Sequence, residues 1–214
     1  MSSSLERLLA EIRSCRVCVE EPGRERLPHV PRPVLRVSKT ARLAVVGQAP
    51  GTRVHASGVP FSDPSGERLR AWMSVTADEF YDVGRVAIIP MGFCYPGQDT
   101  KGADLPPRPE CAPRWRSRLF DQLAQIELML LVGGYAQRWY LGASAGSSVT
   151  ETVRAWREIL DRPGRCRYLP LPHPSWRNNG WLKAHPWFEE ELLPRLRREV
   201  RHLLGPGSSS RRPH

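Results

Sequence analysis

The sequence predicts an α/β protein of three layers, with helices on both faces of a central, mainly parallel sheet of four strands. Three observations predict it. Four short apolar runs, Arg42-Leu-Ala-Val-Val-Gly47, Val86-Ala-Ile-Ile89, Leu128-Met-Leu-Leu-Val132 and Tyr168-Leu-Pro-Leu171, suit strands buried on both faces. Helical patterns separate them, an alternation that calls for right-handed crossovers and places ligands outside the carboxyl ends of the strands. The length, 214 residues without repeats, suffices for one core, so a single domain over 1–204 is expected.

In chain order, Ser3-Ser-Leu-Glu6 has the spacing of a capping box, and Leu5, Leu8, Leu9 and Ile12 recur behind it at helical period. This short helix delivers Cys15 and Cys18 into a turn. Residues 20–37, rich in Pro, Arg and Gly, predict an irregular surface segment. After the first strand, helical patterns occupy 66–75, 114–125, 136–141 and 150–160. A last amphipathic helix runs over 187–204, with Pro194 expected to kink or interrupt it. The final stretch, 205–214, has little to bury and reads as a disordered basic tail.

Thirty-two Lys and Arg against 22 Asp and Glu give a net charge of +10, which favours a polyanionic partner and makes nucleic acid the first to consider. The bland alternative is an Arg-rich coding bias, since many of these residues sit on amphipathic helices. No apolar run approaches the roughly 18–20 residues that span a bilayer, and the start lacks the pattern of a signal peptide. A soluble, cytoplasmic protein, associated with the nucleoid through DNA, working as a monomer and without a membrane partner, is therefore expected. In that compartment the five cysteines are ligands, catalysts or core residues rather than a disulfide framework.

Two segments fall at sheet ends. Gly47-Gln-Ala-Pro-Gly51 follows the first strand and continues through Ser57-Gly-Val-Pro-Phe-Ser-Asp-Pro-Ser-Gly66. Its Gly and Pro residues shape a turn that a flat ligand can approach, and Phe61 offers a face for stacking. Leu171-Pro-His-Pro-Ser-Trp-Arg-Asn-Asn-Gly180 follows the last strand. There His173 stands between prolines as a candidate catalyst or a structural histidine, and Arg177, Asn178 and Asn179 beside Trp176 suit phosphate contacts and minor-groove insertion.

Together the two segments resemble the uracil-DNA glycosylase superfamily, which carries a Gly-x-x-Pro motif after its first strand and a His-Pro motif after its last. Gly47-Gln-Ala-Pro-Gly51 is similar to the Gly-Glu-Ala-Pro-Gly motif of the iron-sulfur branch, and Gly58-Val-Pro-Phe61 to the segment that bears the base-stacking aromatic. His173-Pro-Ser-Trp-Arg-Asn178 resembles the second motif of the single-strand-selective monofunctional uracil glycosylases. Cys15-x2-Cys18 and Cys94-x16-Cys111 resemble the four cluster ligands of the iron-sulfur branch, so the resemblance implies a [4Fe-4S] cluster; zinc on the same thiolates, or four core cysteines, are the rival readings. Cys166 is left over as a core residue. The resemblance spans about Cys15 to Leu193.

What it implies is a base-excision repair enzyme, a monofunctional hydrolase of N-glycosyl bonds that flips a deaminated base, uracil first, out of DNA and leaves an abasic site. His173 would hydrogen-bond the carbonyl oxygen on which the leaving base's charge gathers. Backbone of Gly47, Ala49 and Pro50 would hold the base, with Phe61 stacked on it. Arg177 and Asn178 would fill the gap in the helix, and Ser175 would meet a phosphate. Departures accompany these matches. Ala49 stands where the most efficient branch has a water-orienting aspartate, and Gln48 where the iron-sulfur branch has glutamate. Gln48 can hold a water but cannot take its proton, so Asp63 and His55 are the candidate substitutes, although Asp63 could equally cap the helix after Pro64. Pro90 stands where an asparagine often reads the uracil edge, which opens hypoxanthine and xanthine as substrates. Two further classes compete: a uracil- or abasic-site-binding protein without turnover, and a protein whose metal is its function.

Overall fold

The computed structural model describes residues 3–23 and 25–205. The tail expected at 205–214 therefore lies, from 206 onward, outside the described residues. Four parallel strands, β1 (Leu43–Val46), β2 (Val86–Ile88), β3 (Leu128–Val132) and β4 (Arg167–Leu171), form one sheet in the order β2-β1-β3-β4. The first three are buried along their whole length, which explains why they read as continuous apolar runs rather than alternating ones.

Alternate side chains then feed two cores. Leu43, Val45, Ile88, Leu130 and Leu169 point to the face covered by α4 (Pro64–Met73), α5 (Ala77–Tyr81) and α11 (Leu193–Leu204). Ala44, Val46, Ala87, Met129 and Leu131 point to the face covered by α1 (Ser4–Arg13), α6 (Cys111–Phe120) and α7 (Gly134–Leu141). The three expected layers are thus present. On α11, Leu193, Leu196, Val200, Leu203 and Leu204 make the apolar stripe, each worth roughly 1.5–3 kcal/mol of burial. The capping box of α1 forms as read, with Ser3 accepting from the Glu6 amide and Glu6 from the Ser3 amide.

Several boundaries differ from the sequence expectation. The pattern over 150–160 is two short helices, α8 (Val149–Arg154) and α9 (Trp156–Leu160), parted at Ala155, where ψ opens to 16°. Pro194 sits in the first turn of α11, where its missing N–H costs nothing, and a π-helical turn over Phe188–Leu192 precedes it. That wider turn relieves the clash a proline ring makes with the carbonyl four residues back. Short helices α2 (Val17–Glu20) and α3 (Thr52–Ser57) occupy stretches read as turn or loop, and a further one, α10 (Asn179–Ala184), follows the second sheet-end segment. The segment 20–37 does not run wholly over the surface: Leu27 and Val34 are buried, and Arg36 exchanges backbone hydrogen bonds with Ile88 at 2.7 and 2.9 Å, adding one antiparallel bridge at the sheet edge.

Candidate active site

From β1 the chain passes to β2 on one side, then crosses to β3 on the other, so the order reverses between β1 and β3. A cleft opens outside the carboxyl ends of such strands. Here it measures about 700 Å³ and is lined by both sheet-end segments.

The first segment is shaped by backbone. Carbonyls of Gly47 and Gln48 accept from the amides of Met91 and Gly92, each at 2.9 Å, which ties the turn after β1 to the chain leaving β2. A Cβ on Gly47 would come within 3.1 Å of the Phe61 ring, a tight contact that the ring would have to shift to relieve. Phe61 itself is strained, with φ of 55°. Its surroundings hold it there: the Tyr81 hydroxyl donates to the carbonyls of Pro60 and Phe61 at 3.0 Å, and Arg70 donates to Phe61 at 3.2 Å. A Cβ on Gly66 would overlap the same carbonyl, and the ring packs edge-on against Phe80 at 6.1 Å. A strained residue fixed from so many sides is a preorganised platform.

Gln48, Ala49, Pro50 and Asp63 line the cleft with Gly47 and Phe61. Asp63 also performs the cap that was its alternative reading, accepting from the Gly66 amide at 3.0 Å at the start of α4. His55 does not line the cleft. It lies on α3, packed on His29 at 4.3 Å and Tyr95 at 5.6 Å, so the expectation that it substitutes for a water-activating acid is corrected: sharing a loop with Phe61 did not give it the same direction.

The second segment supplies the opposite wall. His173 is half-buried just beyond β4, against Gly133, whose φ of 84° lets the chain turn out of β3 beside it. Burial pushes the imidazole below its ordinary pKa, against the upward pull of Asp63 and Asp104. It is therefore neutral near pH 7 and can donate one N–H. Ser175 and Arg177 line the cleft, and Arg68 fixes the turn by donating to the Ser175 carbonyl at 3.0 Å. Asn178 is not among the residues lining the cleft, and its side-chain amide donates to the His173 carbonyl at 2.6 Å, local turn chemistry that orders His173. Trp176, 71% exposed under the Arg177 guanidinium, is the side chain that projects. Pro90 is on the wall as well.

Sequence reasoning missed three charged residues of the cleft: Arg53, Arg68 and Asp104. The arginines had no signal beyond their charge. Asp104 stands in a Gly- and Asp-rich turn that could have been read as a hairpin but not as part of this site.

Away from the cleft, Cys15, Cys18, Cys94 and Cys111 line one small cavity walled by Ile12, Val17, Pro31, Phe93 and Trp115. Burial pushes the Cys94 and Cys111 thiols up to about 12 and raises Cys18, with neighbouring thiols of the quartet adding to each shift. The Phe93 amide donates to the Cys111 sulfur at 3.4 Å. Among the described residues, no group of three or more His, Cys, Asp or Glu is set to hold a single metal ion. Cys166 packs in the second core, apart from the quartet.

A four-stranded parallel sheet with helices on both faces, and a cleft outside its carboxyl ends lined by His173 and Phe61, defines a three-layer α/β protein. A family model, that of the uracil DNA glycosylase superfamily, matches residues 36–197, and the chain belongs to that superfamily. Its members are in general hydrolases that remove damaged bases from DNA. The match includes both sheet-end segments, Cys94 and Cys111, and begins after Cys15 and Cys18. No helix among the described residues is long and apolar enough to cross a membrane.

Proposed function

We propose that the chain is a monofunctional DNA glycosylase that takes a deaminated base, uracil first, into this cleft and hydrolyses its N-glycosidic bond. The observation that carries the reading is the pairing of neutral His173 with the Phe61 platform across one cleft. Breaking the bond puts negative charge on the base, and a donor held in the cleft wall and partly dehydrated stabilises that charge with little reorganisation. A neutral imidazole does this with its N–H and leaves no ion to be neutralised first. Phe61 stacks on the extruded ring, while backbone of Gly47, Ala49 and Pro50 fits round its edge. Arg177 and Ser175, with Arg53 and Arg68 on the same rim, meet phosphates, and Trp176 inserts where the base left the stack. Pro90, which offers no side-chain hydrogen bond, favours a site tolerant of hypoxanthine or xanthine beside uracil.

We propose that the four cysteines, which line one cavity, hold a [4Fe-4S] cluster, the group that their resemblance to the iron-sulfur branch implies, with zinc on the same thiolates as the rival reading. A cluster takes its four thiolates at separate irons, and the apolar walls and the amide on the Cys111 sulfur are surroundings that hold it. Cys15, Cys18, Cys94 and Cys111 would be its ligands, and its contribution would be structural.

The test uses single- and double-stranded oligonucleotides carrying one uracil, hypoxanthine or xanthine, with the protein in excess and alkali to break abasic sites. Cleavage is expected, strongest at uracil. Tight binding to uracil or abasic DNA with no cleavage of any substrate would transfer the assignment to a binding protein without turnover, the reading that Gln48 and Ala49 favour.

A further inference from the structure

Motif one has no acid, since Gln48 and Ala49 occupy the positions beside Gly47. The fold brings a carboxylate to that corner from another loop. Gln98 and Asp104 pair as an antiparallel bridge, with the Asp99 amide on the Ala103 carbonyl and the Leu105 amide on the Gly97 carbonyl, each at 2.9 Å. The Asp99 carboxylate closes the turn by accepting from the amides of Lys101 and Ala103, both at 2.9 Å. Asp104 is thus held by its backbone on both sides.

One of its oxygens accepts from the Gln98 amide at 3.2 Å. The other lies against Gly51, so close that a Cβ there would come within 3.1 Å. Gln48 leans on the same hairpin, donating to the Leu105 carbonyl at 3.4 Å. Asp104 therefore lies against one end of the motif, its hairpin touches Gln48 at the other, and it lines the cleft shared with His173. Asp63, the other carboxylate of the cleft, is already engaged at the start of α4.

We propose that Asp104 is the catalytic base, accepting the proton of the attacking water in place of the acid that motif one lacks. This rests on the glycosylase reading above. The water oxygen bonds to C1′ of the deoxyribose and its proton passes to Asp104. The C1′–N bond breaks, and its electron pair leaves with the base, whose negative charge the His173 N–H stabilises by donating a hydrogen bond. Gln48 orients the water through its amide.

The experiment measures single-turnover cleavage of a uracil oligonucleotide, with binding to a tetrahydrofuran abasic analogue followed separately. Asp104→Asn keeps the shape and loses the proton acceptor, so cleavage is expected to fall about a hundredfold. Binding should hold or tighten, because a negative charge facing DNA has gone. Gln48→Glu in the Asp104→Asn background returns a carboxylate to the same corner and should recover about tenfold. Cleavage by Asp104→Asn within about twofold of the parent, a double variant as slow as the single one, or the whole loss appearing in Asp63→Asn instead, would each overturn the assignment of Asp104 while leaving the glycosylase reading intact. A parent protein that binds the abasic analogue but cleaves nothing would remove both.

Discussion

At the scale of single residues, His173 depends on what surrounds it more than on its own chemistry. Its depressed pKa means that the folded protein resists a proton that the unfolded chain accepts. The sign follows: above 6.5 both states hold it neutral, and as pH falls through 6.5 toward the folded value, stability drains away. His55, depressed by burial and by His29 and Arg32, adds to the same slope. Denaturant unfolding across the histidine range should show stability declining on the acid side, and His173→Gln should flatten part of that decline. Activity should persist below 6.5 before it falls, since the donor stays neutral there. That His173 and Gly47 line the cleft was legible because each stands just past a strand end, where α/β sheets bind ligands, whereas Phe61, beyond α3, was placed by its motif alone. Asp104 was not legible, because only the hairpin's docking on Gly51 brings it in. The hydrogen bond from Asn178 to the His173 carbonyl was not legible either, since the residue type alone suggested DNA.

At the scale of elements, strands were the most legible, because burial on both faces removes every polar residue from β1 and β3. Short helices were the least. The capping box Thr76-x-x-Glu79 of α5 was present in the sequence and passed over, whereas α3 and α10 carry no side-chain cap at all. Nothing in the residue types announces the break at Ala155. The cysteine quartet also works at this scale, since it joins the turn between α1 and α2 to the start of α6, two elements far apart in the chain. Protein purified without air should carry roughly four irons with matching sulfide. Stripping them should lower the melting temperature and expose the segment around α1 and α2 to protease. Stoichiometric zinc in colourless protein would contradict the cluster.

At the scale of the molecule, the class of fold was legible from alternation alone, but the order β2-β1-β3-β4 was not. Four apolar runs of similar strength do not say which is central; the packing of β1 between β2 and β3 decides it, and with it the position of the switch point. That position shapes the cleft, which the segment after β1 and the segment after β4 both line. The net charge of +10 complements this arrangement by drawing a polyanion toward the molecule, yet it selects no base. The most direct test of the central claim, that this cleft severs a base from DNA through His173, is to measure the free base released from a uracil oligonucleotide by mass spectrometry. The parent protein should release uracil in step with abasic sites, and His173→Ala should do so about a hundredfold more slowly. No released base from the parent in excess, or undiminished release by His173→Ala, would contradict it.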